Sequence, residues 1–133
     1  MKILLTAINA KYIHSNLAVY NLRAYAAHYA KGMTASDTVE IGEYTINNQM
    51  EDILEGIYKA KPDVLMFSCY IWNIAYVEEL AEEFHKLRPE VPIWVGGPEV
   101  SYETESFLRC HPQITGVMIG EGEKTFCELA EYY

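Results

Sequence analysis

The sequence predicts an α/β domain: a doubly wound, five-stranded parallel sheet between two helical layers. Three observations carry this. Two runs, Lys2 to Ile8 (KILLTAI) and Asp63 to Cys69 (DVLMFSC), are almost continuously apolar, as strands buried on both faces must be. Apolar stripes at helical spacing separate each strand-like run from the next, so the order reads βαβαβαβαβα. The connections are short. Strict alternation with short connections requires parallel strands joined by right-handed crossovers, with helices on both faces.

Each element follows in order. After Lys2 to Ile8, the polar stretch Asn9 to Asn16 (NAKYIHSN) is a loop, and Ser15 or Asn16 can cap the helix that follows. That helix runs to about Ala30, with Leu22, Tyr25, Ala26 and Tyr29 at i, i+3, i+4 and i+7. Lys31-Gly32 is its stop signal. Thr38 to Tyr44 (TVEIGEY) alternates as an edge strand does, and Asn47-Asn48 begins a turn. Met50, Ile53, Leu54 and Ile57 form the second helical stripe, ended by Lys61-Pro62. Asp63 to Cys69 is a central strand, with Tyr70 to Asn73 as its exit loop. Val77, Leu80, Ala81 and Phe84 mark the third helix, closed near Arg88-Pro89. Ile93 to Val95 is the fourth strand, Glu103 to Cys110 a short helix, Ile114 to Ile119 the fifth strand and Lys124 to Tyr132 the last helix. Five strands favour the flavodoxin-like order 2-1-3-4-5, a three-layer α/β/α sandwich whose crevice opens between the ends of the first and third strands.

Composition narrows the function. At 133 residues the chain suits one domain, and with half its residues hydrophobic it can bury a core. The formal net charge of −9 argues against a nucleic-acid partner or an anionic membrane surface. Cys69, Cys110 and Cys127 are too few and too scattered for a disulfide framework, and no CxxC spacing points to zinc. A reducing, cytoplasmic setting fits. No signal peptide or membrane-length apolar run is visible. The chain stops straight after the fifth helix, so residues 1–133 are expected to be one domain from the start of a longer protein.

Four loops leave the edge where such sheets bind ligands: Asn9–Asn16, Ser68–Asn73, Gly96–Tyr102 and Gly120–Lys124. The third holds Trp94-Val95-Gly96-Gly97-Pro98-Glu99. Two glycines at a strand end serve a turn or the close approach of another group to the backbone. A phospho-receiver is excluded, because the first strand ends in Asn9 and the third in Ser68-Cys69, where acidic residues would be needed. The phosphate loop of a flavodoxin is poorly matched by Tyr12-Ile13-His14-Ser15. Gly120-Glu-Gly-Glu-Lys-Thr lacks the Walker A spacing, and Gly120/Gly122 is half a dinucleotide fingerprint on the wrong strand. No Ser-His-Asp or HExxH arrangement is legible, so the domain alone carries no catalytic residues.

Three loops together carry a resemblance. Ser68-Cys69-Tyr70, Val95-Gly96-Gly97-Pro98-Glu99 and Gly120-Glu121-Gly122-Glu123-Lys124-Thr125-Phe126 resemble the corresponding loops of the N-terminal cobalamin-binding domain of B12-dependent radical S-adenosylmethionine (SAM) enzymes. That family includes methyltransferases and enzymes of the magnesium-protoporphyrin IX monomethyl ester cyclase type. The resemblance implies cobalamin as cofactor. It places Asn9, Lys11, Tyr12 and His14 under or beside the corrin. Ser68, Tyr70, Gly96, Gly97, Pro98 and Glu99 would line the slot for the nucleotide tail, and Gly120, Glu121 and Gly122 would close it. Side chains at 96 and 97 would block the tail, so Gly97→Leu is expected to abolish binding with little loss of stability.

Two departures qualify the resemblance. The methionine-synthase-like branch carries DxHxxG after its first strand; here Asn9, Lys11 and His14 stand at the Asp, His and Gly positions, so no histidine ligates cobalt in that register. His14 remains a candidate to approach the corrin edge. The radical SAM motif CxxxCxxC is absent, so an iron–sulfur cluster and S-adenosylmethionine are expected only on a downstream catalytic barrel of the same parent chain. The implied role is to hold cobalamin for that barrel. Two alternatives stay open: a degenerate interaction module that binds no cofactor, and a small nucleotide- or flavin-binding domain at the same edge.

Overall fold

The structure, a computed structural model, describes residues 1–9, 17–29, 37–70, 73–97, 104–119 and 123–132. Ten elements alternate: β1 (Lys2–Asn9), α1 (Leu17–Tyr29), β2 (Thr38–Thr45), α2 (Met50–Ala60), β3 (Val64–Ser68), α3 (Ile74–Leu87), β4 (Ile93–Gly96), α4 (Thr104–Cys110), β5 (Gly116–Met118) and α5 (Glu123–Tyr132). All strand pairs are parallel, in the order β2-β1-β3-β4-β5. The predicted topology is therefore the observed one, with β2 on an edge and β1 and β3 at the centre. The fifth strand is shorter than its apolar run: Ile114 sits in the turn before it, its N–H bonded to His111 O at 3.0 Å, and Ile119 beyond it is 61% exposed. The proposed cap at Ser15 or Asn16 and the stop at Lys31-Gly32 lie outside the described residues.

Alternation along the strands divides the core in two. Ile3, Leu5 and Ala7 of β1, Val64 and Met66 of β3 and Met118 of β5 face α1 and α5, where Val19, Leu22, Ala26, Phe126 and Ala130 cover them. Leu4, Ile8, Leu65, Phe67, Ile93 and Val95 face α2 and α3, where Ile53, Ile57, Val77, Leu80, Ala81 and Phe84 cover them. The buried residues of α3 are the four that define its helical stripe, and each large apolar side chain so buried contributes about 1.5–3 kcal/mol. The C-terminus of α2 is set by Lys61, which takes the left-handed conformation at φ 51° and donates its N–H to Tyr58 O before Pro62 blocks continuation.

Thr6 is the exception in the centre of the sheet. It is fully buried on β1 between Gly42 and Phe67, and its Oγ1 has no hydrogen-bond partner among the described residues. Burying an unbonded hydroxyl costs about 1–3 kcal/mol. Thr6→Val is expected to raise the urea midpoint, with a stability gain of about 1 kcal/mol; an unchanged or lowered midpoint contradicts an unbonded hydroxyl at this position.

Candidate functional site

The carboxyl ends of β1, β3 and β4 meet at one edge. Registers place Glu43 beside Ala7, Ala7 beside Ser68, Ser68 beside Gly96 and Gly96 beside Met118. Ala7 and Met118 point toward α1 and α5, and Ser68, two residues beyond Met66, shares that face. The last row of the ladder on this face thus has three small residues, Ala7, Ser68 and Gly96, between a carboxylate and a thioether. One row nearer the amino edge the residues are large: Leu5, Met66 and Trp94. In side-chain height the small row is a trough beside the bulky row, and it is covered: Ala7 is fully buried and Gly96 is buried. Ser68 is half-buried at its mouth, and its hydroxyl has no hydrogen-bond partner among the described residues.

The two glycines differ in what they do. A Cβ on Gly96 would lie 3.4 Å from Met118 O, 3.5 Å from Met118 Cε and 3.6 Å from Met118 Cβ, which is ordinary contact. A methyl group at 96 would thus fit without a clash, resting against Met118. Gly97 has φ +111°, and a Cβ there would lie 3.0 Å from Cys69 N and closer still to Cys69 O. Its missing side chain makes way for the chain's own backbone. The expectation that Gly97→Leu spares stability is overturned for that reason: the β4 exit packs directly on the β3 exit, and Cys69 N–H also donates to Gly96 O at 2.7 Å.

Two polar groups organise this edge. Asn73 is fully buried at the start of α3. Its Nδ2 donates to Ile8 O at 3.0 Å and to Ser68 O at 2.9 Å, while its Oδ1 accepts from Tyr70 N–H at 2.8 Å. The sequence placed Asn73 only at the end of an exit loop; a carboxamide ahead of a helix reads as a cap, yet here it makes no side-chain capping bond. The second group is Glu43, which accepts from Tyr20 Oη–H at 2.7 Å and from Asn9 Nδ2 at 3.4 Å. The hydrogen bond to Glu43 holds the Tyr20 phenol above its ordinary pKa.

Of the residues assigned to the site from sequence, Asn9, Ser68, Tyr70, Gly96 and Gly97 are brought together at the carboxyl ends of β1, β3 and β4. Lys11, Tyr12, His14, Pro98, Glu99, Gly120, Glu121 and Gly122 lie outside the described residues. Among the described residues no group of three or more His, Cys, Asp or Glu is placed to hold a metal ion.

A doubly wound sheet with small residues at its switch-point edge is the architecture of a ligand-binding α/β domain. The chain belongs to the B12 binding domain family, which it matches over residues 3–130, and its cofactor is cobalamin. It is 35% identical over 80 residues to a cobalamin-dependent radical SAM methyltransferase, TokK, of Streptomyces tokunonensis, a match that covers 60% of this chain and 12% of that protein. It is 37% identical over 68 residues to the 2-(S-pantetheinyl)-carbapenam-3-carboxylate methyltransferase of Streptantibioticus cattleyicolor, covering 51% of this chain and 10% of that protein. The chain therefore matches only a small part of the length of these relatives. Its fold resembles that of the cobalamin-dependent radical SAM enzyme OxsB (TM-score 0.73, 18% identity, 98% of this chain and 18% of that one). It also resembles that of the radical SAM methyltransferase TsrM from Kitasatospora setae (TM-score 0.69, 17% identity, 97% of this chain and 25% of that one).

The residue types at this edge are compatible with such a cofactor: Ala7, Ser68 and Gly96 place little side-chain bulk there, and Ser68 offers a hydroxyl. The contrast between the glycines is directly testable. Gly97→Ala is expected to cost about 2 kcal/mol or more, from the left-handed backbone and the collision with Cys69. Gly96→Ala, whose Cβ meets only ordinary contacts, should cost clearly less. Equal losses in urea denaturation contradict the assignment of Gly97 to packing and Gly96 to the trough.

Proposed function

We propose that this chain is the cofactor-holding domain of a larger B12-dependent radical SAM enzyme and presents the corrin to a catalytic barrel elsewhere in the parent protein. The observation that carries the reading is the row Ala7–Ser68–Gly96, a strip of small residues on the α1/α5 face at the carboxyl edge of a B12-binding domain. The relatives support the wider role, since the curated proteins it matches are methyltransferases, one of them named as cobalamin-dependent and radical SAM.

In this reading the nucleotide tail lies in the trough. Gly96 lets it approach the sheet, Ser68 donates or accepts one hydrogen bond to it, and Met66 and Trp94 limit its depth. Tyr70, Pro98 and Glu99 border the mouth, and Gly97 contributes backbone only. Asn9, Lys11, Tyr12 and His14 lie against the corrin, and Gly120, Glu121 and Gly122 close the slot. When bound, cobalamin supplies the cobalt chemistry that the parent enzyme uses for methyl transfer or oxidative cyclisation. This chain's residues hold and orient it and perform no bond-making step. The iron–sulfur cluster and S-adenosylmethionine belong to the barrel, because the sequence has no CxxxCxxC. Residues 1–133 form one domain of the parent and work in the cytoplasm, a reading supported by three free cysteines. Among the described residues no helix is long and apolar enough to cross a membrane.

Titration with hydroxocobalamin tests this. Saturation at a hundredfold excess over the dissociation constant should stabilise the fold by about 2.7 kcal/mol, a melting shift on the order of 10 °C, and the cobalamin absorbance should follow the protein through gel filtration. Gly96→Ala should stay folded and bind at least about tenfold more weakly, a loss of about 1.4 kcal/mol. A colourless wild-type peak with no melting shift points to a domain that has lost its ligand, and a yellow purified protein to a flavin in the same slot.

A further inference from the structure

We infer that Asn73 is a positioning residue of the cofactor slot, acting through Ser68; the inference rests on the cobalamin reading above. It starts from where β1 and β3 part. Their pairing ends at Ala7 and Ser68, after which β1 continues alongside β2 through Ile8 and Asn9 while the other chain turns away. Ile8 O and Ser68 O are the carbonyls at that fork. Both are bonded by one group, the Asn73 Nδ2, at 3.0 and 2.9 Å.

The same carboxamide accepts from Tyr70 N–H at 2.8 Å, so it bridges the end of β1, the end of β3 and the loop between β3 and α3. Two donors and one acceptor in a single plane is a pattern that, at this side-chain length, only Asn supplies. Asp has no donor, Ser has one, and Gln is a methylene longer. At the first position before a helix an Asn side chain ordinarily bonds an amide of the first turn. Here it makes no such bond and turns instead to the sheet.

The consequence falls on Ser68. The peptide between Ser68 and Cys69 is held on both polar groups: its carbonyl by Asn73, and its N–H by Gly96 O at 2.7 Å. The register puts the Cα–Cβ bond of Ser68 on the α1/α5 face, and Asn73 ties the end of β3 that carries it to the end of β1. Without that tie the two strand ends can separate, and the Ser68 hydroxyl shifts with the end of β3. Asn73 itself is fully buried, so its effect on a ligand at the mouth is transmitted through Ser68.

A double-mutant cycle on hydroxocobalamin affinity tests this. It takes the wild-type chain, Ser68→Ala, Asn73→Ala and the double variant, each shown folded by circular dichroism at the titration temperature. Each single variant should bind several-fold to tenfold more weakly, and the double variant no more weakly than Asn73→Ala alone. Fold-losses that multiply in the double variant overturn the inference, because a merely structural Asn73 would act independently of Ser68. Asn73→Ser keeps one donor and should recover part of the loss; it also replaces Asn73→Ala in the cycle should the latter not fold. Hydrogen exchange gives a readout without ligand: the Asn73 carboxamide protons and the Tyr70 amide should be protected in the wild type. In the variant the Tyr70 amide should lose protection while Phe67 and Val95 keep theirs. Carboxamide protons that exchange freely in the wild type also overturn it. A wild-type chain that takes up no hydroxocobalamin overturns the cofactor reading and, with it, the role of Asn73 toward the ligand. Uptake without coupling overturns the role of Asn73 alone.

Discussion

Where two parallel strands separate, the carbonyls at the fork lose their ladder partners, and a buried carbonyl left unbonded is costly. A doubly wound sheet must have such a fork, because the chain changes direction there and ligands enter there. In this domain one carboxamide resolves the conflict. Asn73 bonds Ile8 O, Ser68 O and Tyr70 N–H, and so ties the two diverging strand ends to the loop that follows β3. The placement of Ser68, of the β3 exit and of the start of α3 follows from that one group.

The trough follows from side-chain size rather than from any single residue. One row of the sheet is small and the next is large, which leaves a low strip of side chains at the carboxyl edge. It lies on the α1/α5 face because Ala7, Ser68 and Gly96 share a parity set by the register. A shift of β3 by one residue would turn Ser68 to the α2/α3 face and put Phe67 in its place.

Much of the architecture was legible from the chain alone. The continuous apolar runs identified the central strands, the alternation of Thr38 to Tyr44 identified the edge, and Val77, Leu80, Ala81 and Phe84 gave the buried face of α3 residue by residue. Those patterns come from burial, and burial is periodic. The edge was legible only in part. Gly96 and Ser68 were named, but the face they share depends on strand pairing, which no local pattern encodes. Gly97 was named for the wrong physical reason, since the atom it avoids belongs to a residue 28 positions earlier, Cys69. Asn73 went unnoticed because its partners Ile8 and Ser68 lie 65 and five residues away, and its position before a helix has a commoner use.

The contact between Gly97 and Cys69 is one-sided. The atoms of Cys69 that a side chain at 97 would meet first are main-chain atoms, which every residue type at 69 carries. At position 97, by contrast, the residue type decides the contact. Substitution should therefore be filtered very differently at two sites that touch. Lengthening either exit by one residue would unseat the crossing altogether, which confines insertions in this domain to loops that leave the sheet elsewhere.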